Sequence, residues 1–134
     1  MSIPSFDLKV VRSDRTTRIA PSGELDIASA PEFEEAIAEA TAEPGAKVVL
    51  DLRELTFMDS TGLRALAQTN ARADEAGFVL SIVRGPRQIE RVLEISGLAG
   101  LLPLVDAPPG AAPPGAAPDG AVDAPPDAAS ASSS

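Results

Sequence analysis

Apolar and polar positions change period several times along this chain, and each change marks an element. Residues 6–11, FDLKVV, begin by alternating as a half-buried strand does. Ser13-Asp14-Arg15 supplies a turn, and the β-branched stretch at 16–20 returns as a second strand, so the two are expected to pair as a hairpin. The period then lengthens to that of a helix. Phe33, Ile37 and Ala40 share one face, while Glu34, Glu35 and Glu39 take the water side. Ser29 and Glu32 stand at capping-box spacing before this helix, and Pro44-Gly45 stops it. Residues 47–52, KVVLDL, form a short apolar run between breakers, as in a central strand covered on both faces. A second helix carries Leu63, Leu66 and Ala67 inward, turns Arg64, Gln68 and Arg72 outward, and ends near Gly77. Residues 78–83 read as another buried strand. Pro86 opens a third helix whose inward stripe is Ile89, Val92 and Leu93 and whose stop is Gly97. Residues 101–105 suit a short edge strand, where Pro103 is tolerable.

The order strand, strand, helix, strand, helix, strand, helix predicts a small α/β domain over residues 1–105. Its mixed sheet of four to five strands has a parallel core, built by right-handed crossovers over 47–83 and packed by three or more helices. Residues 106–134 are different. Of these 29 residues, 24 are Ala, Pro, Gly or Ser, and 107–121 repeat a five-residue unit as APPGA, APPGA, APDGA. Val122 is the only branched aliphatic there, so the segment cannot bury enough apolar surface to offset the entropy of ordering. It is expected to be a disordered, solubilising tail.

Composition narrows the function. Only 3% of residues are aromatic, so the core must come from Leu, Ile, Val and Ala. With 20 acidic against 11 basic residues the net charge is −9, which repels phosphate backbones and anionic lipid and makes nucleic acid and membrane poor partners. The chain has no Cys, which removes thiol nucleophiles, disulfides and thiolate metal sites, and no His, the commonest general base and metal ligand. The N-terminus lacks the pattern of a secretory signal, and no apolar run nears the ~20 residues of a membrane-spanning helix. A cytoplasmic protein is expected.

Asp59-Ser60-Thr61-Gly62 falls where an apolar stretch hands over to the second helix. A serine nucleophile there would need a base, and the chain offers no His and nothing that ties Lys47 to Ser60. A helix N-terminus with small residues attracts phosphate, but the Gly-Lys-Ser/Thr ending of a nucleotide-binding loop is missing and Asp59 would repel the ligand. An N-cap by Asp59 or Ser60 accounts for one residue at about 1 kcal/mol. It leaves Gly62 unexplained, because glycine in a first helical turn costs ~1 kcal/mol relative to alanine. Close approach by something else would explain it.

The stretch VVLDLRELTFMDSTGLRAL (48–66), with GELDIASAPEFEEAI (23–37) before it, resembles the STAS-domain anti-sigma-factor antagonists of bacteria. The likeness runs over residues 5–105 and leaves only the tail outside. It implies a STAS fold and a partner-switching regulator that is not an enzyme and holds no cofactor or metal. Ser60 matches the serine phosphorylated by an anti-sigma factor that doubles as a serine kinase. In such families the unphosphorylated antagonist captures that anti-sigma factor and frees the sigma factor, and a PP2C-type phosphatase restores the serine. By the same match, Asp26 and Asp59 should lie beside Ser60 at the partner-binding surface. Thr61, Gly62, Arg64 and Gln68 are expected to continue it. Two alternatives remain at this level: a STAS scaffold subunit of a stress-signalling or transporter complex, with Ser60 only a helix cap, and a nucleotide-binding protein.

Overall fold

A computed structural model describes residues 6–107; the first five residues and the predicted tail from 108 onward lie outside the described residues. Strands β1 (Phe6–Ser13) and β2 (Thr16–Leu25) form the expected antiparallel hairpin. It turns at Asp14, whose φ of 57° an aspartate tolerates better than most side chains. β2 runs beyond the predicted end at Ala20 and becomes the pivot of the sheet. Its first half, Thr16–Ile19, pairs in parallel with β3 (Lys47–Asp51), and its last residues, Gly23–Leu25, pair in parallel with β4 (Leu55–Met58). Pro21 falls in the gap between these two partners, where the ladder on that edge already breaks. β3 pairs with β5 (Val79–Val83), and β5 with β6 (Leu104–Val105), so the order is β1-β2-β3-β5-β6 with β4 beside β2. The sheet therefore has six strands, not four to five; β4 is the one the hydrophobic pattern did not separate.

Three helices complete the domain: α1 (Ala30–Ala40), α2 (Ser60–Ala76) and α3 (Arg87–Ser96), followed by a 3₁₀ turn at Leu98–Gly100. Their inward residues Phe33, Ile37, Leu66, Ile89 and Leu93 close on Ile19, Leu25, Val48, Leu50, Leu52, Leu55 and Ile82 of the sheet and its loops, all essentially fully buried. Val92, expected in the stripe of α3, is only half-buried. The central strands are not covered on both faces. Opposite the core, Val49 is half-buried and Val11 and Val79 are exposed. A parallel strand long on apolar residues can thus still leave one side open to water.

One charged group is buried on that open side. Asp51, 0% exposed, accepts the Arg53 guanidinium through Nε at 3.0 Å and Nη2 at 2.7 Å and the Arg53 backbone N–H at 3.1 Å. Arg18 of β2 stands 3.8 Å away. Burial works to raise the Asp51 carboxyl, but the hydrogen bonds from the Arg53 side chain and backbone, with the attraction of Arg53 and Arg18, outweigh it and hold the group below its ordinary value. The same hydrogen bond raises Arg53 against its own burial, helped by attraction to Asp51 and Glu54. This clamp spans the sharp turn from β3 to β4, where Leu55 N–H also bonds Leu52 O at 3.1 Å, and so directs the chain toward the end of β2.

Candidate functional site

β2 and β4 run in parallel and end side by side, with Leu25 opposite Met58. The Asp59 N–H donates to Leu25 O at 3.2 Å, so Asp26 and Asp59 leave the sheet at the same end. Asp59 is extended, with φ −102° and ψ −169°, and is the N-cap of α2. Its Oδ1 accepts Thr61 N–H at 2.9 Å and Gly62 N–H at 3.2 Å. The cap predicted for Asp59 or Ser60 is therefore Asp59. Ser60 becomes the first helical residue, with its side chain exposed. The phosphate-cradle reading meets an obstacle here, because two N–H groups that would hold a phosphate already bond a carboxylate.

Gly62 was expected at the surface with its neighbours; it is buried. A Cβ on it would lie 2.6 Å from Met58 Cγ and 3.0 Å from both Leu25 Cγ and Leu25 O. What approaches the glycine is the protein's own β2 and β4, and the residue lets the first turn of α2 rest on them. Thr61 is half-buried, while Arg64 and Gln68 are exposed along α2. Gln68 also lines a cleft of ≈ 160 Å³ between α1 and α2, with Glu34, Ile37 and Arg72.

The loop from β2 to α1 is built around Asp26 and Ser29. Asp26 Oδ1 accepts Ala28 N–H at 3.0 Å and Ser29 N–H at 3.2 Å. The capping box does not form, since Ser29 makes no side-chain bond into α1. Its hydroxyl turns back to the strand, donating to Glu24 O at 2.8 Å and accepting the Asp26 N–H at 2.9 Å. The Ala30 N–H already bonds the Asp26 backbone O at 2.8 Å, and Pro31 at the second helical position has no N–H to satisfy, so the serine is free for this tie.

Two apolar residues at this end escaped the sequence reading. Ile27 is 75% exposed and Phe57 48% exposed. Alternation could not show Phe57: Leu55 and Met58 are both buried although three residues apart, because the register of β4 against β2 shifts between Gly23 and Glu24, and that shift brings Phe57 out beside the exposed Glu24. Together with Glu24, Asp26 and Asp59, Ile27 and Phe57 make this end of the sheet acidic with apolar points. Among the described residues no group of three His, Cys, Asp or Glu side chains could hold a metal, and no helix is long and apolar enough to cross a membrane.

The fold and site define a small α/β domain whose exposed serine opens a helix at the ends of two parallel strands. A family model described as "Mlab, STAS domain" matches residues 8–105, and the chain belongs to the STAS-domain family. It is 26% identical over 98 residues to the anti-sigma-B factor antagonists of Staphylococcus aureus and Bacillus subtilis, covering 73% of this chain and 91% and 89% of theirs. Its structure is similar to that of an anti-sigma factor antagonist from Mycobacterium paratuberculosis, with a TM-score of 0.68 and 31% identity over 80% of this chain and 92% of that one. The fold is also that of unphosphorylated SpoIIAA, with a TM-score of 0.62 and 24% identity over 78% and 90% of the two chains. The STAS fold implied by the sequence motifs is borne out.

Proposed function

We propose that this protein is an anti-sigma factor antagonist whose unphosphorylated form binds an anti-sigma factor and releases a sigma factor in the cytoplasm. It acts by binding, and the chemistry on Ser60 belongs to its partners, a serine kinase that is the anti-sigma factor itself and a PP2C-type phosphatase. The observation that carries this reading is the exposed Ser60 at the first position of α2, next to an acidic cap that is already satisfied. The binding surface comprises Asp26, Asp59, Ser60 and Thr61, with Arg64 and Gln68 along α2 and Ile27 and Phe57 as apolar anchors. Gly62 serves it from beneath, by seating the helix.

Phosphorylation adds about −1.5 to −2 charges at neutral pH. The helix N-terminus favours that charge by roughly 0.3–1 kcal/mol, and the neighbouring Asp59 carboxylate opposes it, so the two effects on the fold nearly offset. In a complex the balance is different. A partner packed over Ser60 would bury the phosphate without a counter-charge, at a cost of several kcal/mol, and each 1.4 kcal/mol is about tenfold in affinity. The modification is therefore expected to leave the fold in place and to abolish binding.

The test uses the anti-sigma serine kinases of the source organism, purified and incubated with this chain and ATP. Phosphate should map to Ser60 by mass spectrometry. In calorimetry, Ser60→Ala should bind one of these kinases, and Ser60→Asp should bind it at least about a hundredfold more weakly. Equal affinity of Ser60→Asp and the parent chain would refute the switch.

A further inference from the structure

Strand β1 lies at the end of the sheet, and among the described residues only β2 pairs with it. It is eight residues long and contains neither Pro nor Gly, so its outer edge offers open N–H and C=O groups to another strand. Its side chains alternate cleanly. Phe6, Leu8 and Val10 stand opposite Gly23, Pro21 and the buried Ile19, on the core side. Phe6 and Leu8 are half-buried against the rim of the core, and Val10 remains 48% exposed. On the other side Asp7 and Lys9 are exposed.

This pattern is complementary to itself. An antiparallel pairing of β1 with a second β1 about a two-fold axis at Leu8 sets Asp7 opposite Lys9 twice, Phe6 opposite Val10 twice, and Leu8 opposite Leu8. Over residues 6–10 every charge then meets its opposite and every apolar side chain an apolar one, which is what stabilises cross-strand pairs, while Val11–Ser13 would face residues 3–5, which lie outside the described residues. Neighbouring registers fail. An axis at Asp7 opposes two aspartates, an axis at Lys9 opposes two lysines, and an axis at Val10 sets Leu8 against Arg12 and Lys9 against Val11.

We propose that the protein forms a two-fold dimer in which β1 pairs with β1 about Leu8 and the sheet continues through both copies. The second copy covers the apolar row that one copy leaves half-buried. β1 lies across β2 from β4, so the pairing uses none of the residues assigned to the anti-sigma surface and does not depend on that reading.

The experiment is sedimentation velocity on the full chain over a concentration series, with charge reversals at the two exposed positions. The parent chain should show a concentration-dependent dimer. Asp7→Lys and Lys9→Asp each turn two attractions into two repulsions and should weaken dimerisation by about tenfold or more. The double variant Asp7→Lys/Lys9→Asp should restore it, with circular dichroism unchanged throughout. A parent chain that stays monomeric would overturn the proposal, and so would a dimer indifferent to the single reversals or not rescued by the double one.

Discussion

Replacing Gly62 with alanine tests whether the entrance of α2 is held by its contact with β2 and β4. The new methyl would sit 2.6 Å from Met58 Cγ and 3.0 Å from Leu25 Cγ and Leu25 O. Two of these neighbours are side-chain atoms that can shift. The third is a backbone oxygen tied in place, because it accepts the Asp59 N–H at 3.2 Å. Forcing one extra carbon into such a site costs about 1–3 kcal/mol. Against this, alanine gains ~1 kcal/mol over glycine in a helix. The contact therefore wins, and Gly62→Ala should be destabilised by about 1 kcal/mol, which lowers the unfolding midpoint of a domain this size by roughly 4–8 °C. Gly100→Ala is the control, since a Cβ there meets nothing within 4 Å, and it should lose no stability. Thermal and urea unfolding followed by circular dichroism measure both. If Gly62→Ala were as stable as the parent, the close approach would not be what requires glycine, and the reason would have to lie in a partner's contact.

Asp59→Ala removes the acceptor of two N–H groups and should cost about 1 kcal/mol in urea unfolding, whereas Asp59→Asn, whose amide oxygen can still accept, should cost less. Asp51→Ala takes the bidentate acceptor from Arg53, itself only 14% exposed, and should destabilise by about 3 kcal/mol. The folded Asp51 carboxyl is held below its ordinary value, so the stability it contributes is present above about pH 4 and is lost as the pH falls below that, through the folded value. The advantage of the parent over Asp51→Asn in urea unfolding should accordingly be full at neutral pH and fade in acid. Phe57→Ala, at an exposed position, should leave the unfolding midpoint nearly unchanged and weaken binding of the proposed anti-sigma factor partner by about tenfold, read by calorimetry.

Much of the fold is written locally. The hairpin, β3, β5 and the stripe of α1 are visible in the sequence because burial of one face imposes a period of two or 3.6 on a single stretch of chain. The inward face of α2, by contrast, turns on Ala65, Leu66, Thr69 and Ala73, and the expected Leu63 and Ala67 are only half-buried. The Asp59 cap is local too, since its carboxylate reaches N–H groups only two and three residues on. β4 is not. Its four residues, Leu55–Met58, are mostly apolar but bury only the first and last, a spacing that fits neither period, and it is a strand because the end of β2 is there to pair with it. Ser29 had the spacing of a capping box, yet its hydroxyl turns back to Glu24 O, while the Asp26 carboxylate bonds the Ala28 and Ser29 N–H groups of the loop before the helix. Gly62 looked like room left for a partner, and the space proved to be taken by Leu25 and Met58. Asp51 stood inside an apolar run with nothing in its neighbourhood of sequence to show that Arg18, on the adjacent strand, would come within 3.8 Å. A period records what one segment does with its own two faces. Pairing, close approach and the burial of a charge depend on which other segment arrives, and only the tertiary structure decides that.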